Sequence, residues 1–385
     1  MIALELVVWI LFAYLFAVAI YLLAITLASW GYKPFSGASQ GLRLGVVIPA
    51  HNEEEGIATT LCSIFAADTT TPVPVFVIAD NCTDQTAQVA EAMGAKVLVR
   101  NNPEQRGKGY ALDWFIREHH ACFGHLDALC FVDADVHMHP DFFSQMAVAL
   151  AQENVHVVQG FNGVSNPMGS WRTALTAAAF HTFNHLRPAG SFRLFGSTVL
   201  KGNGMAFRTH VLQRYGWPAH GQAEDLEFSI QLAKDGIPVA YQSSAIATSE
   251  MTISRKQANA QRSRWEAARI ALSITYLKQA LSHFRPHMLA DLLTPPLSLY
   301  VLLIGAAGLL SVFTSAPGVV LCASLVALLM AYVGSAQIQC RAPIALYGAL
   351  AFSPLFLFWK ATLYLQWLTK GPSRQWSRTV RNASL

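Results

Sequence analysis

Apolar residues are concentrated near the two ends of the chain. No charged residue occurs between Glu5 and Lys33, and apolar residues dominate again from 288 to 368. About 20 consecutive apolar residues are enough for a helix to cross the hydrocarbon core of a bilayer. The first stretch is too long for a secretory signal, and no basic residues precede it. The pattern therefore predicts a transmembrane anchor at residues 1–32 and further membrane helices near the C-terminus.

The basic residues beside the anchor predict its orientation. Lys33 and Arg43 follow the apolar stretch. Because Lys and Arg are enriched on the cytoplasmic side of membrane proteins, residues from 33 onward are expected in the cytosol. This orientation predicts a multi-pass protein of the inner (plasma) membrane, with a cytosolic catalytic domain at 33–255 and an interfacial amphipathic helix at 256–285.

The C-terminal apolar region predicts two helices and one further segment with two possible arrangements. Two transmembrane helices are expected within 286–340, with a break at Pro295-Pro296. A third apolar segment lies in the region 341–385 and contains Lys360. If it crossed the membrane, the basic tail after it would lie outside, against the positive-inside bias. An interfacial or re-entrant helix is therefore preferred, and a third span is the alternative.

Between residues 43 and 250, short apolar runs alternate with stretches that have helical patterns. This alternation predicts an α/β domain with a mostly parallel sheet and helices on both faces. Several runs are apolar throughout, as expected for strands that are covered on both sides. The candidate strands are 44–49, 73–78, 96–99, 128–132, 155–158 and 237–241, and the candidate helices are 53–67 and 83–93.

The composition supports this division and argues against a nucleic-acid partner. Hydrophobic residues make up 53% of the chain and charged residues 13%, whereas about 25% is charged in typical soluble domains. The net charge of +4 is not gathered into a basic helix. The six cysteines show neither C-x-x-C pairing nor zinc-site spacing, so reduced thiols are expected.

Acidic residues follow three of the predicted strands. Glu53 comes after the first strand, Asp80 after the second, and Asp133 and Asp135 after the fourth. Ligands of such sheets bind in the crevice at the carboxyl ends of the strands. We therefore expect these side chains to gather in one crevice. First-turn helix electrostatics is an alternative reason for the acidic residue at Glu53.

Asp133-Ala-Asp135 predicts a metal site. An apolar strand that runs into D-x-D places two carboxylates close together at the sheet edge. Hard divalent cations bind carboxylate oxygens together with substrate phosphates, and a nucleotide-sugar diphosphate would supply those phosphates. The alternative explanation is a turn or a helix cap.

Two glycine-containing segments are candidate binding loops. Lys108 lies between two glycines at the expected start of a helix, where an ammonium group and a helix N-terminus favour a phosphate. A solvated turn is the alternative. Gly202-Asn203-Gly204 is a turn of small residues that an acceptor could approach closely, and a tight turn without a ligand explains it equally well.

Glu224 and Asp225 begin another predicted helix. Either carboxylate could act as the general base that deprotonates an acceptor hydroxyl, a contribution of typically 10²–10⁴-fold to the rate. Acidic residues at a helix start are also explained by capping alone.

These motifs occur in a defined order: Pro-Ala-His-Asn-Glu53, a strand that ends in Asp80, R-G-K-G-x-A-L, D-A-D, G-N-G, E-D and Gln261-Arg-Ser-Arg-Trp265. The ordered set resembles the membrane-bound family 2 glycosyltransferases, the group of cellulose, chitin and hyaluronan synthases and ceramide glucosyltransferase. The resemblance covers residues 43–270 and the flanking membrane segments, and Q-x-x-R-W is its most specific motif. The chain has Ala79 where members often have a second Asp, and Ala223 where they often have Thr.

The resemblance implies a GT-A fold, a nucleotide-sugar donor (usually UDP-linked), Mg²⁺ or Mn²⁺, and inversion at the anomeric carbon of a hexosyl or N-acetylhexosaminyl group. It also implies a role for each matching residue. Glu53 and Asp80 would hold the nucleoside, Lys108 would lie near the diphosphate, Asp133 would contact donor or metal, Asp135 would bind the metal, Asp225 would be the base with Glu224 beside it, and Gln261, Arg264 and Trp265 would line the diphosphate and acceptor end.

Three functions are compatible with these features. The leading expectation is a synthase that builds an extracellular polysaccharide on a saccharide acceptor, with possible partner subunits for export. The second is a single transfer to a membrane lipid or lipid-linked acceptor. The third is a transporter or scaffold whose cytosolic domain only binds a ligand, and it is disfavoured because the acidic residues gather at one sheet edge.

Overall fold

In a computed structural model, the described residues are 1–39, 41–69, 72–252, 266–277 and 285–370. They form two compact units. The α/β unit consists of Lys33–Asn166 and Phe195–Thr252, and the helical unit consists of Met1–Tyr32, Pro167–Leu194 and the described residues from 266 onward. The sequence places residues 33–255 in one domain, whereas the structure groups 167–194 with the apolar helices.

Elements are numbered in chain order across both units. The strands are β1 (Leu44–Ala50), β2 (Val75–Asp80), β3 (Lys96–Arg100), β4 (Ala128–Phe131), β5 (Val136–Met138), β6 (Val157–Val164), β7 (Met205–Arg208) and β8 (Val239–Ser249). The helices of the α/β unit are α2 (Ile57–Phe65), α3 (Thr86–Ala92), α4 (Lys108–Glu118), α5 (His120–Phe123), α6 (Phe142–Leu150), α9 (Thr209–Tyr215) and α10 (Glu224–Lys234).

The eight strands of the described α/β unit form one sheet in the order β3-β2-β1-β4-β7-β6-β8-β5. Four of the seven pairings are parallel and three are antiparallel, so the sheet is mixed rather than mostly parallel. The antiparallel pairings all involve β5 or β7, which the sequence pattern did not predict. Both strands are too short to show a periodicity, and β7 follows directly on the turn at 202–204.

All six predicted strands are present, but β6 and β8 extend six and eight residues beyond their predicted ends. β2 and β4 are buried along their whole length, which explains why their sequences are apolar except at Asp80, the last residue of β2. The two predicted helices are shorter than expected. Residues 53–56 form a turn instead of the first turn of α2, because Asn52 has a positive φ of 55° and the Glu53 carbonyl accepts hydrogen bonds from the Gly56 and Ile57 amides.

The core of the α/β unit lies between the sheet and helices α4, α9 and α10. Phe131 of β4 and Phe207 of β7 contact Trp217, and Phe228 of α10 packs against both Phe207 and Trp217. All four rings are fully buried. Aromatic side chains of this size supply a large part of the apolar area that a core buries, so this packing fixes the start of α10 relative to the sheet.

The helical unit contains α1 (Ile2–Trp30), α7 (Trp171–Phe180), a π-helical turn (His181–Leu186), α8 (Arg187–Phe195) and α11 (residues 266–277). The C-terminal part consists of α12 (Pro286–Leu293), α13 (Leu297–Ser311), α14 (Gly318–Gln339), α15 (Ile344–Ala349), a 3-10 turn (Leu350–Phe352) and α16 (Ser353–Lys370).

Three segments in the described part of the chain are long and apolar enough to cross a membrane: Ile2–Trp30, Gly318–Gln339 and Ile344–Trp367. Helices α12 and α13 would form a fourth span if they act as one, although they are bent by 62°. The bend confirms the predicted break at Pro295-Pro296, since proline lacks the amide hydrogen that would continue the helix.

Lys360, the charge in the third apolar segment, is not exposed on the surface of that segment. Its side chain is fully buried, and its Nζ lies 2.7 Å from Glu266 Oε1. Tyr364, one turn further along α16, donates to the other oxygen of Glu266. A buried, paired lysine can be accommodated in a membrane helix. Lys360 itself is therefore no obstacle to a span, and the arrangement of this segment remains a prediction.

Gly109 tests the packing that positions the start of α4. A Cβ atom at Gly109 would lie 2.1 Å from the Ala219 carbonyl oxygen, so the backbone would have to move. We expect Gly109→Ala to destabilise the α/β unit by roughly 1–3 kcal/mol, measured as a lower midpoint of thermal or denaturant unfolding. Gly56→Ala is the control, since a Cβ there meets no atom closer than 3.8 Å. Equal stability of the two variants would contradict this packing.

Candidate active site

The turns that follow β2, β1 and β4 share one edge of the sheet. β1 pairs in parallel with β2 on one side and with β4 on the other. The carboxyl ends of the three strands therefore point the same way. Asp80 is the last residue of β2, and Glu53 and Asp133 follow β1 and β4 at this edge. The expected crevice is thus formed by three neighbouring strands.

Lys108 is the centre of the site. Its Nζ lies 2.6 Å from Asp133 Oδ1 and 3.4 Å from Glu224 Oε1, and it donates to the carbonyl oxygen of Gly202. One ammonium group therefore joins the D-x-D turn, the G-N-G turn and the start of α10. Burial disfavours the charged form of Lys108, but Asp133 and Glu224 outweigh this effect and raise its pKa.

The chain places Lys108 at this point through the glycine before it. Gly107 precedes the first residue of α4 and has a φ of 123°, a conformation that other residues rarely adopt. The sequence predicted the helix start, and the resemblance implied a position of Lys108 near the diphosphate. Neither indicated that Lys108 would pair with acidic residues.

The G-N-G turn holds two other parts of the site in place. Gly202 and Gly204 have φ values of 76° and 63°, in the region that favours glycine. Asn203 is buried, and its Oδ1 accepts from the Asp133 amide at 3.2 Å. A Cβ on Gly202 would lie 3.4 Å from Asp225 Oδ2, so the Asp225 carboxylate lies directly against this turn.

Gln159 supports the same turn and was not predicted. It is fully buried on β6, and its Oε1 accepts from the Lys201 amide at 2.7 Å. Its Nε2 donates to the Asn203 carbonyl oxygen at 2.8 Å. The sequence signal that could have identified it is a single glutamine at the end of the apolar run 155–158.

Glu224 and Asp225 have unusual electrostatic properties. Burial raises the pKa of Glu224 to about 7, against the lowering effect of Lys108, and Asp225 raises it further. Burial also raises the pKa of Asp225. Carboxylates with raised pKa values in a polar crevice are candidates for general acid–base roles.

Asp80 lies at the predicted edge but is engaged with protein groups. It is 5% exposed, and its Oδ1 accepts from Arg100 Nη1 at 2.6 Å and from Asn81 Nδ2 at 2.9 Å. Arg100 also donates to the Gln105 carbonyl oxygen, which ties the loop before Lys108 to β2. The sequence did not predict a role for Arg100.

Glu53 is half-buried beside the D-x-D turn. Its Oε2 and the carbonyl oxygen of Ala134 both lie 3.8 Å from the point that a Cβ on Gly56 would occupy. The Glu53 amide donates to Thr86 Oγ1 at 2.8 Å, which links this turn to α3. Glu53 is therefore placed at the same edge as Asp133 and Asp135.

Asp133 and Asp135 fit a metal site that is shared with a substrate. Among the described residues, no three His, Cys, Asp or Glu side chains are grouped closely enough to hold a metal ion. Two carboxylates in one turn provide the donors that Mg²⁺ or Mn²⁺ uses when phosphate oxygens complete its coordination.

The other predicted site residues, Gln261, Arg264 and Trp265, lie outside the described residues.

Curated relatives of the chain include two bacterial glycosyltransferases. A probable glycosyltransferase of Bacillus subtilis, YdaM, is 24% identical over 262 residues, which are 65% of this chain and 60% of that protein. The 4,4'-diaponeurosporenoate glycosyltransferase of Staphylococcus aureus is 40% identical over 98 residues, 24% of each chain. The chain thus matches less than two thirds of the length of either relative.

A solved structure shows the same fold. The mannosyltransferase PcManGT from Pyrobaculum calidifontis, solved in complex with GDP-Man and Mn²⁺, superposes with a TM-score of 0.59 at 19% identity. The match covers 87% of this chain and 98% of that one. It supports the predicted GT-A type of α/β fold, although the sheet is mixed and not mostly parallel as predicted.

A family model provides the assignment. The model described as "Glycosyltransferase like family 2" matches residues 42–268, which is more than half of the chain. This range begins just before β1 and includes the turns that carry Glu53, Asp80, Lys108, Asp133 and Asp225. The chain belongs to glycosyltransferase-like family 2.

Proposed function

We propose that the protein transfers a sugar from a nucleotide sugar to an acceptor at the inner membrane, with inversion at the anomeric carbon and with a divalent metal. The observation that carries this proposal is the pairing of Lys108 with Asp133 and Glu224 while Asp225 lies against Gly202. A cation, a candidate metal site and a candidate base are thereby brought together in one crevice of a family 2 fold.

The donor in this proposal is bound at the edge formed by β2, β1 and β4. Glu53 and Asp80 face the nucleoside, and the Arg100–Asp80 pair fixes the position of the Asp80 carboxylate. The proposed nucleotide is UDP, and GDP is the alternative because the Pyrobaculum mannosyltransferase binds GDP-Man. The transferred group is a hexosyl or N-acetylhexosaminyl residue.

Asp133 and Asp135 would hold Mg²⁺ or Mn²⁺ at the diphosphate. A bound metal ion supplies positive charge that stabilises the leaving diphosphate. Lys108 adds a second positive charge at the same place, and it is already oriented by Asp133 and Glu224. Preorganised charges of this kind stabilise a transition state without reorganising during the reaction.

Asp225 is the proposed base. The acceptor hydroxyl oxygen attacks the anomeric carbon, its proton passes to the Asp225 carboxylate, and the bond to the nucleoside diphosphate breaks with its electron pair. A raised pKa makes the carboxylate a better proton acceptor near neutral pH. The α10 N-terminus and the G-N-G turn hold Asp225 in one orientation.

The leading form of the proposal is synthesis of an extracellular polysaccharide on a saccharide acceptor, with partner subunits for export. The second form is single transfer to a membrane lipid, which is supported by the Staphylococcus relative named for a diaponeurosporenoate acceptor. In both forms, Gln261, Arg264 and Trp265 are proposed to line the diphosphate and acceptor end. Product analysis with a labelled donor distinguishes the two forms of the proposal. A ladder of product lengths indicates polymerisation, and one lipid-extractable product indicates single transfer.

Replacing the two adjacent carboxylates identifies the base. Asp225→Asn is expected to lower kcat by 10²–10⁴-fold and to leave nucleotide affinity unchanged. Glu224→Gln is the matched variant, because it removes a neighbouring charge but retains the proposed base. Release of nucleoside diphosphate and nucleotide titration measure the two properties. If Asp225→Asn retained full activity, Asp225 would not be the base, and Glu224 would be assigned that role instead.

Asp135 tests the metal site. Asp135→Asn removes one of two carboxylate ligands, so transfer should fall together with the dependence of donor binding on Mn²⁺. Isothermal titration of the donor with and without Mn²⁺ measures this. Asp141→Asn is the control, since Asp141 is an exposed carboxylate just beyond β5. A metal-dependent donor affinity that survives in Asp135→Asn would rule out Asp135 as a ligand.

The pH dependence of transfer follows from the raised pKa values. The base must be ionised, and burial raises the pKa values of both Glu224 and Asp225. Activity should therefore fall, as the pH decreases, at pH values above the usual carboxyl range near pH 4. Glu224→Gln removes a neighbouring negative charge and should move this fall in activity to lower pH. A profile of kcat against pH that stays flat down to about pH 4 would contradict the assignment.

A further inference from the structure

A group of charged residues in the helical unit, of which Arg187 and Asp291 are buried, is not used by the site described above. We call Arg187, Arg269, Asp291 and Tyr332 the arginine cluster. Arg269 Nη2 lies 2.7 Å from Asp291 Oδ2, whereas Arg187 Nη1 lies 3.7 Å from Asp291 Oδ1. Arg187 Nε donates to the Tyr332 hydroxyl at 2.9 Å. The cluster joins α8, α11, α12 and α14.

The arginine cluster has more positive than negative charge. Arg187 and Asp291 are 3% and 4% exposed. The ranges of the helical unit contain three acidic residues, Glu5, Glu266 and Asp291, and the undescribed residues contain none. Glu266 pairs with Lys360. Asp291 is therefore the single carboxylate for two guanidinium groups, whereas the Lys360–Glu266 pair is balanced.

One donor of the cluster is unused. Arg187 Nη2 is buried and has no hydrogen-bond partner in the described part of the chain. The Arg187 guanidinium also lies over the ring of Phe183, with its Cζ 4.6 Å from the ring centroid. A buried guanidinium that lacks a full set of partners is destabilising on its own. An anion that accepts from Nη2 would remove both the unpaired donor and the excess charge.

The helices are irregular on both sides of the cluster. The π-helical turn His181–Leu186 directly precedes Arg187, and Asp291 lies in the last turn of α12 before the 62° bend. π-helical turns occur frequently at functional sites. In membrane proteins, broken helices are found where they line a binding site or a water-filled space.

We propose that the arginine cluster binds the anionic head group, a phosphate or a carboxylate, of a molecule inserted in the membrane. Arg187 is the residue that recognises it, since a guanidinium presents a planar pair of donors that matches either group. The role that we assign to this molecule is that of the acceptor in the single-transfer reaction. Only this role rests on the proposed function. The binding itself requires neither donor nor metal.

Removing Arg187 should leave a folded protein. Arg187→Gln leaves the Arg269–Asp291 pair, which is neutral and closely spaced. Asp291→Asn would instead leave two positive charges without a carboxylate partner. In nanodiscs of phosphatidylcholine, Arg187→Gln should therefore have a Tm equal to or above that of the wild type. A structural role for Arg187 would instead lower its Tm in this neutral lipid, and that result would overturn the proposal.

The test uses the full chain in phosphatidylcholine nanodiscs with labelled phosphatidic acid, palmitate or diacylglycerol as probes. The wild type should bind the two anionic probes and not diacylglycerol, and Arg187→Gln should lose about tenfold or more in affinity, as expected for one charge-assisted hydrogen bond. Arg187→Lys should retain part of the binding. Arg193→Gln is the control, since Arg193 is exposed on the same helix.

Three results would overturn the proposal: binding of diacylglycerol as tight as that of the anionic probes, unchanged anion binding by Arg187→Gln, or displacement of the lipid by inorganic phosphate, which would indicate a site for a free anion. The two anionic probes distinguish a phosphate from a carboxylate site. A failure here leaves metal-dependent transfer untouched, because nucleotide release is measured separately.

Discussion

The site depends on the interaction of one ammonium group with two carboxylates. Asp133 and Glu224 come from parts of the chain that are distant in sequence, and like charges brought together in a partly buried crevice repel each other. Lys108 offsets this repulsion through its contacts at 2.6 and 3.4 Å, and its hydrogen bond to the Gly202 carbonyl oxygen adds the G-N-G turn. Without this cation the D-x-D turn and the start of α10 would not be stable so close together.

The surrounding fold makes this interaction possible. β1, β2 and β4 bring their carboxyl ends to one edge, Gly107 starts α4 at Lys108, and the aromatic core beneath α10 positions Glu224 and Asp225. Gln159 holds the G-N-G turn from below the sheet edge. The result is a crevice whose charges are oriented before a substrate binds, which is the condition for electrostatic stabilisation of a transition state.

Sequence patterns predicted those features that arise locally. Unbroken apolar runs identified six strands, and the polar residues after them identified Glu53, Asp80, Asp133 and Asp135 at one edge. Features that depend on distant contacts were missed: the short strands β5 and β7, the Arg100–Asp80 pair and the role of Gln159. The position of residues 167–194 in the helical unit was also missed, because polar residues such as Arg172, His181 and Arg187 interrupt their apolar pattern. His181 and Arg187 are explained by their partners Gln337 and Tyr332 in another helix, which a local pattern does not reveal.

The central claim is that the crevice around Lys108 carries out metal-dependent glycosyl transfer. The most direct measurement is the release of nucleoside diphosphate by the purified full chain from a panel of UDP- and GDP-sugars, with Mn²⁺ and with the metal chelated. The account predicts release from a particular donor that stops when the metal is removed and is largely lost in Lys108→Met. Release that is indifferent to the metal and to Lys108, or no release and no nucleotide binding with any donor, would contradict it.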